Sequence, residues 1–135
     1  ILSKFRLMQV AVHYFLHFGL PVLIAWLFFK SEWKWVSLLL LSTMLVDLDH
    51  VFANPMFQAN RCSINFHPLH HYVAMGGYVL LLFFKRPFRV LGIGLLLHMA
   101  TDLLDCVLTY SRCEECLVTA PAKELVEWIA NRVGL

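Results

Sequence analysis

The sequence predicts an all-α fold, a four-helix transmembrane bundle with a short C-terminal amphipathic helix, forming a single integral membrane domain over residues 1–135. Three observations predict it. Apolar residues make up 60% of the chain and charged residues only 15%, against roughly 25% charged in soluble domains. The apolar residues gather into four runs, each near the roughly 20 residues that cross a hydrocarbon core as a helix. Open sheets leave backbone groups unsatisfied in lipid, so the runs are read as helices.

The first run, residues 7–29, carries no Lys, Arg, Asp or Glu. A secretory signal peptide is the competing reading, but its length and the lack of a small-residue cleavage pattern argue against one. The charged turn Lys30-Ser31-Glu32-Trp33-Lys34 leads into the second span, residues 35–53, and a longer loop from Asn54 to Phe66 follows. The third span, residues 67–84, opens with Pro68 in a first turn, where the missing N–H costs nothing. A second tight turn, Lys85-Arg86-Pro87-Phe88-Arg89, introduces the last span, residues 88–110. Beyond a Cys-rich stretch, the segment 120–135 repeats Leu125, Ile129 and Val133 at helical spacing, as an interfacial helix or a cap on the bundle would. Trp26, Trp33 and Trp35 near the first turn read as interfacial anchors.

All seven histidines and all four aspartates fall into four short clusters, His13-x-x-x-His17, Asp47-x-Asp49-His50, His67-x-x-His70-His71 and His98-x-x-x-Asp102-x-x-Asp105. Ionisable groups at bilayer depth cost roughly 2.5–3.5 kcal/mol each for Asp, so they persist where they pair, bind metal or do chemistry. Helices of alternating direction bring all four clusters toward one side. At about 1.5 Å per residue, His98 lies roughly 18 Å and His17 roughly 15 Å from that side, with His13, Asp47 and Asp102 at about 9–12 Å. Independent placement would not converge on one half of the bilayer; a polar funnel opening to one face would.

Residues three, four or seven apart share a helical face. His13 pairs with His17, and His98, Asp102 and Asp105 form a stripe. Asp47 and His50 point together with Asp49 turned away, and His67 and His70 share a face with His71 aside. Imidazoles and carboxylates suit zinc, manganese or iron, and the mixture is too rich for one tetrahedral zinc. Two divalent metal ions bridged by an Asp, zinc first among the candidates, is the economical solution. The bland readings are packing or hydrogen bonding for His71, and ligand-orienting or helix-end roles for Asp49 and Asp105.

The run Asp47-Leu48-Asp49-His50, then His67-Pro68-Leu69-His70, then His98-Met99-Ala100-Thr101-Asp102 resembles small bacterial inner-membrane proteins of the membrane-bound metal-dependent hydrolase (YdjM-like) type, distantly similar to zinc-dependent phospholipase C. Their pattern has a D-x-D-H element, an H-R-G-x-T-H-S element and a late S-H-x-x-x-D element, with a His on the first helix. The resemblance implies metal ligation by His13 or His17, Asp47, Asp49, His50, His67, His70, His98 and Asp102. Pro68-Leu69 replaces the Arg-Gly of the middle element and His71 its Ser, so an anion-holding Arg is missing there. Two boxes, His13-x-x-x-His17 and His67-x-x-His70-His71, also match those of membrane desaturases, whose di-iron centre needs about eight His ligands; the third box is absent. Haem between His17 and His98 would leave four aspartates unexplained.

A hydrolase of this kind would use metal-activated water on a phosphoester of a lipid or amphiphile, with Asp105 or Asp49 as general base and His71 or His70 protonating the leaving group. A non-enzymatic metal-binding membrane subunit of a larger complex is the other class. Transport is disfavoured, because no polar residues continue from His17 or His98 to the opposite face. The small net charge of +2 and the lack of a basic patch in the sequence argue against a nucleic-acid partner. Lys30, Lys34, Lys85, Arg86 and Arg89 in the two turns place those turns in the cytoplasm and the site toward the periplasm of a bacterial inner membrane, against a thin opposing set of Lys4, Arg6, Arg61 and Arg112. Cys62 with Cys106 and Cys113 with Cys116 are the expected disulfides, and a Cys₄ zinc site is the competing reading.

Overall fold

A computed structural model describes residues 2–56 and 58–135. It is all-α, with no strand among the described residues. Helix α1 runs through Leu2–Tyr14, a π-helical stretch Phe15–Gly19 and Leu20–Phe28. Helix α2 is α-helical over Trp33–Ser42 and winds on as 3₁₀-helix over Thr43–Phe52. Helices α3 (Tyr72–Leu81), α4 (Phe88–Arg112) and α5 (Lys123–Val133) complete the set, with single 3₁₀ turns at Pro68–His70 and Glu114–Leu117.

Three helical stretches are long and apolar enough to cross a membrane, Lys4–Phe28, Trp33–Phe52 and Phe88–Arg112. They fall where the first, second and fourth apolar runs predict. The expected span 67–84 is corrected: α3 covers only Tyr72–Leu81, about 15 Å at 1.5 Å per residue, or half a hydrocarbon core. The reason lies in the backbone. The His70 carbonyl, which would accept the first helical bond, instead accepts from Asn65 N at 2.9 Å, and His71 is extended (ψ 150). The helix therefore begins one residue later, with Met75 N on the His71 carbonyl at 3.0 Å.

Helix α4 is the central post, lying against α1, α2, α3 and α5. Half of its apolar window is buried, against 17% for α1, whose remaining surface is apolar and outward-facing. Two glycines let neighbours approach α4 closely. A Cβ at Gly94 would come within 2.7 Å of Thr43 Cγ2, and one at Gly92 within 2.9 Å of Leu81 Cβ and 3.0 Å of the Tyr78 carbonyl. Such small-residue contacts drive helix association where lipid removes the hydrophobic incentive.

Ala25, Val36, Leu40 and Val90 pack at the end of the molecule that carries the two short turns. There Arg86 Nη1 donates to Glu32 Oε2 at 2.6 Å, so the turns meet at one end. At the opposite end, a second core joins Val46, Cys62, Ile64, Met99 and Val107 to α5. Helix α5 caps the bundle: Val126 and Ala130, with Ala122 just before its first turn, are buried in this core, Ile129 packs against it, and Val133 is exposed. Small residues face α4 because they allow the helix to sit close. Both expected disulfides are present, Cys62–Cys106 and Cys113–Cys116. They use every cysteine, which removes the Cys₄ zinc reading.

Candidate metal centre

Irregular helix positions the site. Five residues of α1 around His17 are π-helical, a winding often found at functional sites. His17 is turned inward and buried, its Nδ1–H donating to the His13 carbonyl at 3.1 Å. The 3₁₀ winding of α2 places residues three apart on one line, so His50 stands over Asp47, and it narrows the angle between Asp47 and Asp49 from about 160° to about 120°. Both aspartates can then reach the interior. Asp47 and His50 stand together as the spacing predicts, 3.6 Å apart, while Asp49, expected to turn away, is buried at 3% and the Asp47 side chain is 45% exposed. The straight α4 carries His98, Asp102 and Asp105 as the predicted stripe.

Three groups of His and Asp result, each compact enough to hold a metal ion. The first joins Asp47, His70, His98 and Asp102. His70 Nε2 lies 3.4 Å from Asp47 Oδ1, 3.1 Å from Asp102 Oδ2 and 3.3 Å from His98 Nε2. His98 Nε2 lies 3.1 Å from Asp47 Oδ1 and 3.4 Å from Asp102 Oδ2. Four ligands at about 2.0 Å around a tetrahedral ion would be about 3.3 Å apart. Five of the six edges of this donor set therefore have the spacing that one small cation requires.

The second group is His13, His17 and Asp102. Asp102 belongs to both groups and turns a different oxygen to each, with Oδ1 lying 3.4 Å from His17 Nε2. Next to it, His13 Nδ1 is 3.8 Å from Asp105 Oδ1. The third group is Asp49, His50 and His70. Asp49 Oδ2 accepts from Leu69 N at 2.8 Å and from His70 Nδ1 at 3.1 Å, and Asp49 Oδ1 faces His50 Nδ1 at 3.1 Å. This carboxylate sits behind His70 and points its Nε2 at the first group, the arrangement by which an outer carboxylate fixes a ligating imidazole.

The donor chemistry fits a cation. His70 Nε2 and His98 Nε2 face each other at 3.3 Å, a spacing that suits either one ring donating to the other or both turning lone pairs on one shared cation. His17 Nε2 and Asp102 Oδ2 are buried and lack hydrogen-bond geometry to any described partner, although ring nitrogens lie within 3.4 Å of the carboxylate. A shared proton would align such pairs; a shared metal aims them at a common point instead. His70, which precedes α3, is pulled down by burial, but the neighbouring carboxylates of Asp102 and Asp47 outweigh this and hold it up at about 10. A cation at the first group would take that proton's place.

Three expected residues stand outside these groups: Asp105, which faces His13, and His67 and His71. His67 is buried and stacked on His50, with ring centres 3.7 Å apart, and burial together with the His50 ring pushes it down to about 4. Its Nε2 has no described partner. His71 is exposed just before α3 and belongs to none of the three groups. One participant was missed. Gln9 is buried and donates through Nε2 to Asp105 Oδ1 at 2.6 Å and to Thr109 Oγ1 at 3.1 Å. The signal was available, because Gln9, His13 and His17 recur every fourth residue. A cleft of about 360 Å³ opens over this pair, lined by Arg6, Gln9, His13, Arg61, Asp105 and Arg112 among others.

Residues 7–109 match a family of unknown function, DUF6122. The chain belongs to that family. The matched region takes in all four His and Asp clusters and stops before α5. No curated protein and no solved structure matches the chain.

Proposed function

We propose that this DUF6122 chain is an integral-membrane, metal-dependent hydrolase acting on a phosphoester of a lipid or amphiphile, with two divalent ions held by one bridging aspartate. The observation that carries this reading is Asp102, whose two oxygens face two separate histidine groups. Asp47, His70, His98 and Asp102 would hold one ion, and His13, His17 and Asp102 the other, zinc being the first choice for such nitrogen and oxygen donors. Bound there, divalent ions supply Lewis acidity toward a phosphate oxygen and lower the pKa of water toward neutrality. The likeness to YdjM-like hydrolases points the same way through the matched ligand elements.

Asp105 is the carboxylate best suited to accept a proton from water. Gln9 fixes one of its oxygens, the cleft reaches it, and it belongs to neither metal group. Asp49 serves instead to orient His70. The exposed Asp47 leaves the first group open on one side, whereas a purely structural metal would be closed.

The membrane reading extends to four crossings, the short α3 completing the bundle with its apolar flanks. Val73, Leu80 and Phe83 are among the residues that turn outward there. Basic turns at one end and disulfides at the other favour a bacterial inner membrane with the site facing the periplasm.

The test is release of phosphate from dihexanoyl phosphatidic acid by purified protein supplied with zinc. Chelation should abolish turnover and zinc should restore it, while D102A should lose about a hundredfold or more. Turnover that is indifferent to both chelation and D102A, or no turnover with any metal, would overturn the reading.

A further inference from the structure

The cleft beside His13 sets three cations, Arg6, Arg61 and Arg112, against one carboxylate, Asp105. Among the described residues none of the three arginines has a carboxylate within ion-pair distance, whereas Arg86 at the far end does. Arg61 is held in place. Its Nη2 donates to the Pro55 carbonyl at 2.6 Å and to Gln58 Oε1 at 3.0 Å, and its guanidinium lies 4.8 Å from the Phe66 ring centre. Its Nε–H is buried with no described partner. Arg112 is steadied by the Leu108 carbonyl at 3.2 Å, which satisfies a donor without neutralising the charge. Positioned guanidinium groups without counter-ions form a receptor for a phosphate-like anion.

A second cavity of about 290 Å³ adjoins the cleft and shares Gln9 and Arg112 with it. Its other lining residues are nearly all apolar, Phe5, Met8, Val12 and Leu108 among them, and it lies between α1 and α4. The polar cleft and the apolar groove thus share a wall at Gln9 and Arg112.

We propose that these two cavities form one binding site for an anionic amphiphile, with Arg6, Arg61 and Arg112 holding its phosphate and the α1/α4 groove taking its hydrocarbon chain. The ligand enters sideways from the lipid, and its phosphate comes to rest beside His13 and Asp105. The cationic site absent from the motif that precedes α3 is thereby supplied by the loop and by two helix ends. This deepens the hydrolase reading and rests on it for the fate of the ligand, but the binding itself is measured apart from turnover.

The experiment is equilibrium binding to the purified full chain in uncharged detergent, read by native mass spectrometry. Its probes are dihexanoyl phosphatidic acid, inorganic phosphate and dihexanoylglycerol. The phosphatidic acid should bind at least about tenfold more tightly than either half-ligand. R6Q/R112Q should weaken it about tenfold or more, with metal content unchanged and R6K/R112K in between. M8W, which fills the groove, should weaken the phosphatidic acid and leave inorganic phosphate alone. Inorganic phosphate binding as tightly as the amphiphile, or unchanged binding in R6Q/R112Q, would overturn the proposal. If R6Q/R112Q fails to fold, the ranking of the three probes on the unaltered protein decides. Binding as expected without turnover defeats the hydrolase reading and leaves this one standing.

Discussion

Replacing Asp49 separates a residue that orients a ligand from one that is a ligand. The carboxylate is 3% exposed, and its Oδ2 alone accepts from both Leu69 N and His70 Nδ1, at 2.8 and 3.1 Å. In D49A the buried His70 Nδ1 loses its acceptor at about 1–3 kcal/mol, and the part-buried Leu69 N adds less because water can reach it, so the fold should lose about 1–4 kcal/mol. His70 also becomes free to turn its Nε2 away from Asp47, His98 and Asp102. In D49N the amide oxygen can stand where Oδ2 stood and keep both bonds, so stability should change little. The lost charge makes His70 a weaker donor to metal, and affinity should fall about tenfold, the lower end of what outer-shell substitutions cost. Competition with a chromophoric chelator reads the affinity, and thermal unfolding in detergent reads the stability. Wild-type metal affinity in D49A would refute the orienting role, and complete loss of metal in D49N with the fold intact would make Asp49 itself a ligand.

Other consequences are local. G92A brings a methyl to 2.9 Å from Leu81 Cβ and 3.0 Å from the Tyr78 carbonyl, so α3 must move off α4 and stability should fall by about 1–3 kcal/mol, seen as a lower melting temperature. Thiol titration of the denatured chain without reductant should find no free thiol, and four after reduction. C62A/C106A opens a link between residues 44 apart and should cost up to about 4 kcal/mol, measured by denaturant unfolding.

Much of the site was legible in the sequence because helical spacing is a rigid ruler. The stripe of His98, Asp102 and Asp105 stands on regular α-helix, and there the periodicity reading holds without adjustment. It fails where the winding changes. The π-helical stretch at His17 and the 3₁₀ winding through Asp47, Asp49 and His50 leave no mark on an apolar pattern, which is why Asp49 is read as turned away although it is buried. The third helix starts late because a distant loop amide, Asn65 N, takes the His70 carbonyl. Periodicity cannot see that competition. His67 was assigned to the ligands by its motif, yet tertiary packing stacks it on His50 instead. Gln9 escaped notice because an uncharged side chain seldom signals chemistry, although it lies on the same line as His13 and His17.

The central claim is that Asp102 joins two metal sites, and metal content per chain tests it most directly. Inductively coupled plasma mass spectrometry on purified protein should find two divalent ions per chain in the wild type, one in H13A/H17A and close to none in D102A. Two ions retained in D102A, or none in the wild type after growth and reconstitution with zinc, manganese or iron, would contradict it.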